Sequence, residues 1–177
     1  GAQRPEGEPT SQRLLVLGWS SKLPAILAEF ASYTNERFII DTVSTISAGE
    51  RDRLAHRYGG DLGSLTLRHL EADYNHLPEL QALEPWTYDR IILVGSGRAA
   101  SEEDADARTL QGYLLLQDIF ADRPEKPPIL VELLEPENLG LLAGRPGETI
   151  ISPMILSHSL AQVALRRELR GVFEELF

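Results

Sequence analysis

A parallel, doubly wound α/β sheet is the fold this sequence predicts, and three features predict it. Short apolar runs alternate with helical patterns along the whole chain, which is the signature of strand–helix–strand units. Several runs are apolar at consecutive positions, such as Phe38-Ile39-Ile40 and Ile91-Ile92-Leu93-Val94. Strands covered on both faces read that way, whereas half-exposed strands alternate. Six such strands with helices between them need crossover connections, and these take the right-handed form.

The first strand covers 13–18 and ends in Gly18, and a helical pattern over 24–33 follows at once. A strand, a glycine and a helix are how a Rossmann-type nucleotide-binding unit begins, so the expected architecture is a Rossmann-like doubly wound parallel six-stranded sheet. In the dinucleotide fingerprint G-x-G-x-x-G, the second and third glycines admit the pyrophosphate and the close helix. Ser20 and Leu23 stand there instead, so the fold signal is kept while NAD binding is doubtful. The second strand is 37–42, followed by a polar helix over 48–58 that Gly59-Gly60 stops. The third strand is 64–70, and a short helix over 77–83 ends before Pro85. The fourth strand is 90–95. The next helix has the best start signal, Ser101 as N-cap with Asp104 three residues on. Its expected apolar stripe is Leu110, Tyr113, Leu114, Gln117, Ile119 and Phe120. The fifth strand is 129–134, then a helical turn over 136–142 and a sixth strand over 149–152.

Ser152-Pro153 opens a long C-terminal crossover helix over 154–177. Its apolar phase changes from Leu156, Leu160 and Val163 to Leu165, Leu169, Val172 and Leu176, with Phe173 and Phe177 beside it. A single amphipathic face keeps one phase. Two readings stand: a bent helix on its own core, or a helix leaving to meet another lobe or subunit. The expected domain is 13–153, with 1–12 a linker or an expression remnant of a piece cut from a longer protein.

Composition narrows the function. The chain has 177 residues with 42% hydrophobic and 25% charged, enough for one full core. A net charge of -10 lacks the basic stripe that nucleic acid requires. The absence of cysteine removes disulfides, thiol catalysis and cysteine-bound zinc. No apolar run reaches the roughly 18–20 residues that span a bilayer.

Candidate site residues gather at the carboxyl ends of the strands, where open α/β sheets bind ligands. Gly18, Trp19 and Ser20 form the first turn, and Gly95-Ser96-Gly97 ends the fourth strand. Asp41, 23 positions after Gly18, stands where a ribose-binding acid belongs, or else caps a strand–loop junction. Val94 occupies the first-glycine position of G-x-S-x-G, so the fourth-strand turn is no hydrolase elbow. Glu102, Glu103, Asp104 and Asp106 cluster at a helix start. Hard cations such as calcium take carboxylate oxygens, and Asp104 with Asp106 is the candidate metal pair. Acids there also complement the helix dipole with no ligand. The four histidines show no zinc spacing, and no Ser/His/Asp set appears.

The turn Leu17-Gly18-Trp19 resembles the opening of the regulatory domain of the CASTOR/POLLUX ion channels. So do 69–73, 89–93, 104–110 running into Leu114-Leu115-Leu116, and 151–177, in that order. This family is similar to RCK (TrkA-N type) domains, which are Rossmann-like. The resemblance implies a cytosolic ligand-sensing or gating module of a membrane cation channel, self-associated in a dimer or ring and joined to the pore region of the same longer chain. It implies no catalysis, a place on the cytoplasmic face of the membrane, and calcium or a nucleotide as ligand. A soluble NAD(P)-dependent enzyme and a purely structural assembly module remain the alternatives.

Overall fold

The computed structural model describes residues 10–33, 35–97, 101–142 and 148–151. The expected helix over 154–177 lies outside the described residues. The parallel sheet has the order β3-β2-β1-β4-β5, formed by β1 (Thr10–Leu17), β2 (Glu36–Ser44), β3 (Thr66–Glu71), β4 (Arg90–Leu93) and β5 (Ile129–Glu132). The backbone of β6 (Glu148–Ile151) pairs parallel outside β5. The chain runs outward from β1 to β3, then returns to the other side of β1 as β4. The carboxyl ends of β1 and β4 are therefore the topological switch point.

Alternation along the strands sends side chains into two apolar layers. Leu14 and Val16 of β1, Phe38 and Ile40 of β2 and Ile92 of β4 pack with α1 (Leu23–Ala31) and α2 (Ala48–Gly59). Leu15 and Leu17, Val43, Ile91 and Leu93 face α3 (Leu77–Ala82) and α4 (Glu102–Phe120). All of these are buried, each contributing roughly 1.5–3 kcal/mol by leaving water.

Helix boundaries follow local chemistry. Ser47 accepts the amide of Glu50 at the start of α2, and Gly60, at φ 76°, ends it. Ser101 accepts the amide of Asp104, as expected of the N-cap of α4. The apolar stripe of α4 differs from the expected one. Ala105, Thr109, Tyr113, Leu116 and Phe120 are buried, while Leu114 is exposed. Gly112 lies on the inner side, where a Cβ would stand 2.6 Å from the Tyr74 ring. That close approach turns the helix so that Leu114 points outward.

The first strand also starts earlier than expected. Within the stretch expected to be linker, Thr10 pairs with Glu36 and Ser11 with Arg37. Gln12 is buried and its amide donates to the Glu36 carboxylate at 2.6 Å. A strand starting with polar residues carries no apolar signal, so sequence periodicity places its edge too late.

Gly18 is fixed by space as well as conformation. Its φ is 104°, and a Cβ would stand 2.7 Å from the Val94 carbonyl oxygen. Gly18→Ala is expected to cost about 1–3 kcal/mol or more in urea unfolding. Gly49→Ala, in α2 with open space around it, is expected to gain up to about 0.5–1 kcal/mol in the same measurement.

Candidate functional site

The carboxyl edge of β2 and β3 is organised by a buried cation. The Arg51 guanidinium of α2 is fully buried and donates to the carbonyls of Thr42, Ile46 and Leu70 at 3.0, 2.9 and 2.8 Å. It also donates to Thr42 Oγ1 at 2.9 Å. Burial pushes its pKa down, and the Glu71 charge opposes this. Thr42 Oγ1 in turn contacts His69 Nδ1. Thr42 Oγ1 therefore joins the guanidinium to the imidazole, accepting from Arg51 and sharing a hydrogen bond with Nδ1. Nε2 faces Asp52 at 3.6 Å. Burial, and then the Arg51 charge, hold the His69 pKa below its usual value.

Trp19 stands edge-on to this histidine, with ring centroids 5.8 Å apart at 79°. It is 6% exposed and lies at the switch point. On one side is a cleft of about 130 Å³. Gly18 and Ser96 form its β1 and β4 ends, and Ser44 and Ile46 its β2 side. Asp73 and Tyr74 come from the segment after β3, and Asp104 and Arg108 from α4. On the other side of Trp19 is a more apolar groove of about 360 Å³ along Ser20, Pro24, Leu54 and Tyr58. Ile46 and Trp19 line both hollows and form the partition between them.

The first turn and the β4 loop are tied directly together. Val94 donates to the Leu17 carbonyl at 3.0 Å and Gly97 to the Trp19 carbonyl at 3.2 Å. Gly95 is held by Glu132 of β5, whose Oε1 accepts its amide at 2.8 Å. Glu132 is 1% exposed and its Oε2 has no hydrogen-bond partner among the described residues. Burial drives its pKa up, Asp106 adds to this, and the Gly95 amide and the Lys22 charge oppose it.

These positions sort the candidate residues. Gly18, Trp19 and Ser96 meet at the cleft. Ser20 lies on the far side of Trp19, and Gly95 faces Glu132. Asp41 does not end its strand: β2 continues three residues to Ser44. Its buried carboxylate accepts two bonds from Arg68, at 3.1 and 2.7 Å, and one from the Tyr88 hydroxyl. Burial, then the bond to Asp41, pushes the Tyr88 pKa up to about 12. Asp41 is therefore an interior anchor, not a ribose acid at the crevice.

Asp104 and Asp106 do not converge on a cation either. Two positions apart on a helix point about 200° apart. Asp104 faces the cleft, whereas buried Asp106 accepts the amides of Leu134 and Glu135 and the Asn138 side chain at 2.7–2.9 Å. No group of three or more metal-ligating side chains occurs among the described residues. Arg108 was missed by sequence reasoning, although its spacing of four from Asp104 puts both on one helix face. Arg51 was missed as well, because in the run Glu50-Arg51-Asp52-Arg53 it looks like any surface charge.

No family model matches the chain. The chain is similar to the probable ion channel CASTOR of Oryza sativa subsp. japonica, at 25% identity across 94% of the chain. It spans 22% of that relative's length. Its fold is similar to the human SLO3 gating ring, with a TM-score of 0.57, 12% identity, and coverage of 80% of this chain and 24% of that one. A looser likeness joins it to the GsuK channel bound to NAD, at TM-score 0.46 and 17% identity over 84% of this chain and 22% of that one. That last likeness is too distant to bear on ligands. The resemblance read from the turn at Gly18-Trp19 thus extends over nearly all of the chain.

His69 and Glu132, two of the shifted groups, have opposite pH signatures. A histidine with a lowered folded pKa contributes stability above its ordinary value near 6.5, lost as pH falls toward the folded value. A carboxyl with a raised folded pKa contributes stability below about 4.5, lost as pH rises through the folded value. Melting temperatures across pH 4–9 are expected to show both. His69→Gln should flatten the acid side, and Glu132→Gln should gain on wild type as pH rises.

Proposed function

We propose that this chain is a ligand-sensing regulatory domain of a membrane cation channel rather than an enzyme. The observation that carries the reading is the likeness to the CASTOR channel over 94% of the chain, joined to a polar cleft at the switch point of the sheet. In this reading a sixth strand and a long helix over 154–177 complete the unit and lead to another lobe or subunit. The domain sits on the cytoplasmic face, self-associates as a dimer or ring, and is continuous with a pore region. A ligand that prefers one arrangement of the assembly then shifts the population toward it, by as much as its differential affinity.

The site argues against a dinucleotide. Cofactor and drug-sized ligands occupy pockets of roughly 300–1,000 Å³, above the 130 Å³ of the cleft, and Trp19 divides that cleft from the 360 Å³ groove behind it. The buried indole of Trp19 fills the place beside the first turn, and the Gly97–Trp19 hydrogen bond bridges the crevice. Asp41, the acid a ribose would use, is committed to Arg68 and Tyr88. Calorimetric titration with NAD and NADH is expected to give no binding tighter than about micromolar, or roughly -8 kcal/mol. A nanomolar complex would revive the enzyme reading.

The channel reading is tested in the full-length protein that contains this chain, in planar bilayers. Disrupting the domain by Gly18→Trp is expected to change open probability while leaving single-channel conductance intact. An unchanged open probability, with the domain shown to be unfolded, would refute the regulatory role.

A further inference from the structure

We propose that the switch-point cleft takes a small zwitterion of the free α-amino acid type, its carboxylate on Arg108 and its ammonium group toward Asp104 and Asp73. This deepens the ligand-sensing reading and rests on it for its consequence, whereas the binding itself depends only on the cleft.

Arg108 lines the cleft and makes no hydrogen bond or ion pair with any described residue. Asp104 lies one helical turn before it, yet the two do not pair within 4 Å among the described residues. The Asp104 amide is bound by Ser101, while its carboxylate makes no bond back to the cap. Asp73 uses one carboxylate oxygen to hold the Asn75 amide at 3.0 Å and enters the cleft from the segment after β3. A cation and two anions therefore face one small hollow from two separate elements.

That set selects by charge and size together. A simple anion on Arg108 meets the two carboxylates as like charges, and a divalent cation between the carboxylates meets the guanidinium. A molecule carrying both charges satisfies all three groups. The rise over four residues of helix is about 6 Å, so Arg108 and Asp104 reach into the hollow from successive turns. A guanidinium binds a carboxylate through two parallel bonds, which fixes the orientation. The 130 Å³ volume equals about four waters at roughly 30 Å³ each, which fits a solute with a short side chain. Ile46 and the Trp19 partition give that side chain an apolar wall.

The test is thermal unfolding of the chain with glycine, L-alanine and L-serine, against sodium acetate, methylammonium chloride and calcium chloride at matched ionic strength. The expected result is a saturable rise with at least one amino acid, about 3–6 °C at ten times its midpoint concentration, and none with the half-ligands or calcium. Arg108→Gln and Asp104→Asn should each abolish the rise, while Glu103→Gln, an exposed neighbour, should keep it. No rise with any amino acid up to 50 mM would overturn the proposal. So would an equal rise with acetate or calcium, or a rise that survives Arg108→Gln. None of these outcomes touches the bilayer measurement, so the cleft assignment and the channel reading fail separately.

Discussion

A guanidinium buried among carbonyl groups is costly to desolvate, and Arg51 makes up that cost only by saturating its donors. Its bonds to Thr42, Ile46 and Leu70 gather the last residues of β2, the loop that follows and the end of β3 around one side chain. Its charge disfavours protonation of His69, and the two side chains share Thr42 Oγ1 as a common hydrogen-bond partner. His69 supports the edge of Trp19, and Trp19 divides the space at the switch point. A single cation on α2 thus governs the shape of a cleft to which it contributes no surface. Removing it would leave several carbonyls without donors, each worth about 1–3 kcal/mol when buried and unpaired.

The elements were legible because they rest on signals that local sequence carries. Ser47, Gly60 and Ser101 terminate helices by bonds to their immediate neighbours, and consecutive apolar residues mark strands covered on both faces. The first turn was legible too, since only glycine tolerates the φ of residue 18 beneath the Val94 carbonyl. What escaped was everything decided between distant residues. Asp41 reads as a crevice acid until Arg68 and Tyr88 are brought onto it from β3 and the segment before β4. Asp106 reads as a metal ligand until the loop after β5 presents two amides to it. Leu114 reads as core until Gly112 lets the Tyr74 ring choose the contact face.

Asp104 and Asp106 of α4 show how one helix serves both purposes. Asp106 is turned inward and fixes the exit of β5, a structural use that consumes its lone pairs. Asp104, half a turn away, lines the cleft and its carboxylate makes no hydrogen bond or ion pair with any described residue. Sequence spacing alone groups them; helix geometry separates them. The same separation applies to the first turn, where Trp19 faces the cleft and Ser20 the groove behind it. The indole ring of Trp19 stands at the switch point between the two hollows.

That ring gives the domain an optical property. The chain has two tryptophans, and they sit in dissimilar surroundings. Trp86 lies under the Arg123 guanidinium at 3.7 Å, on the α4 side of the sheet. Trp19 is buried against His69 and forms the wall of both hollows. A Trp86→Phe protein would emit from Trp19 alone. Its emission wavelength and quenching would then read the polarity at the switch point directly, with no dye or label attached.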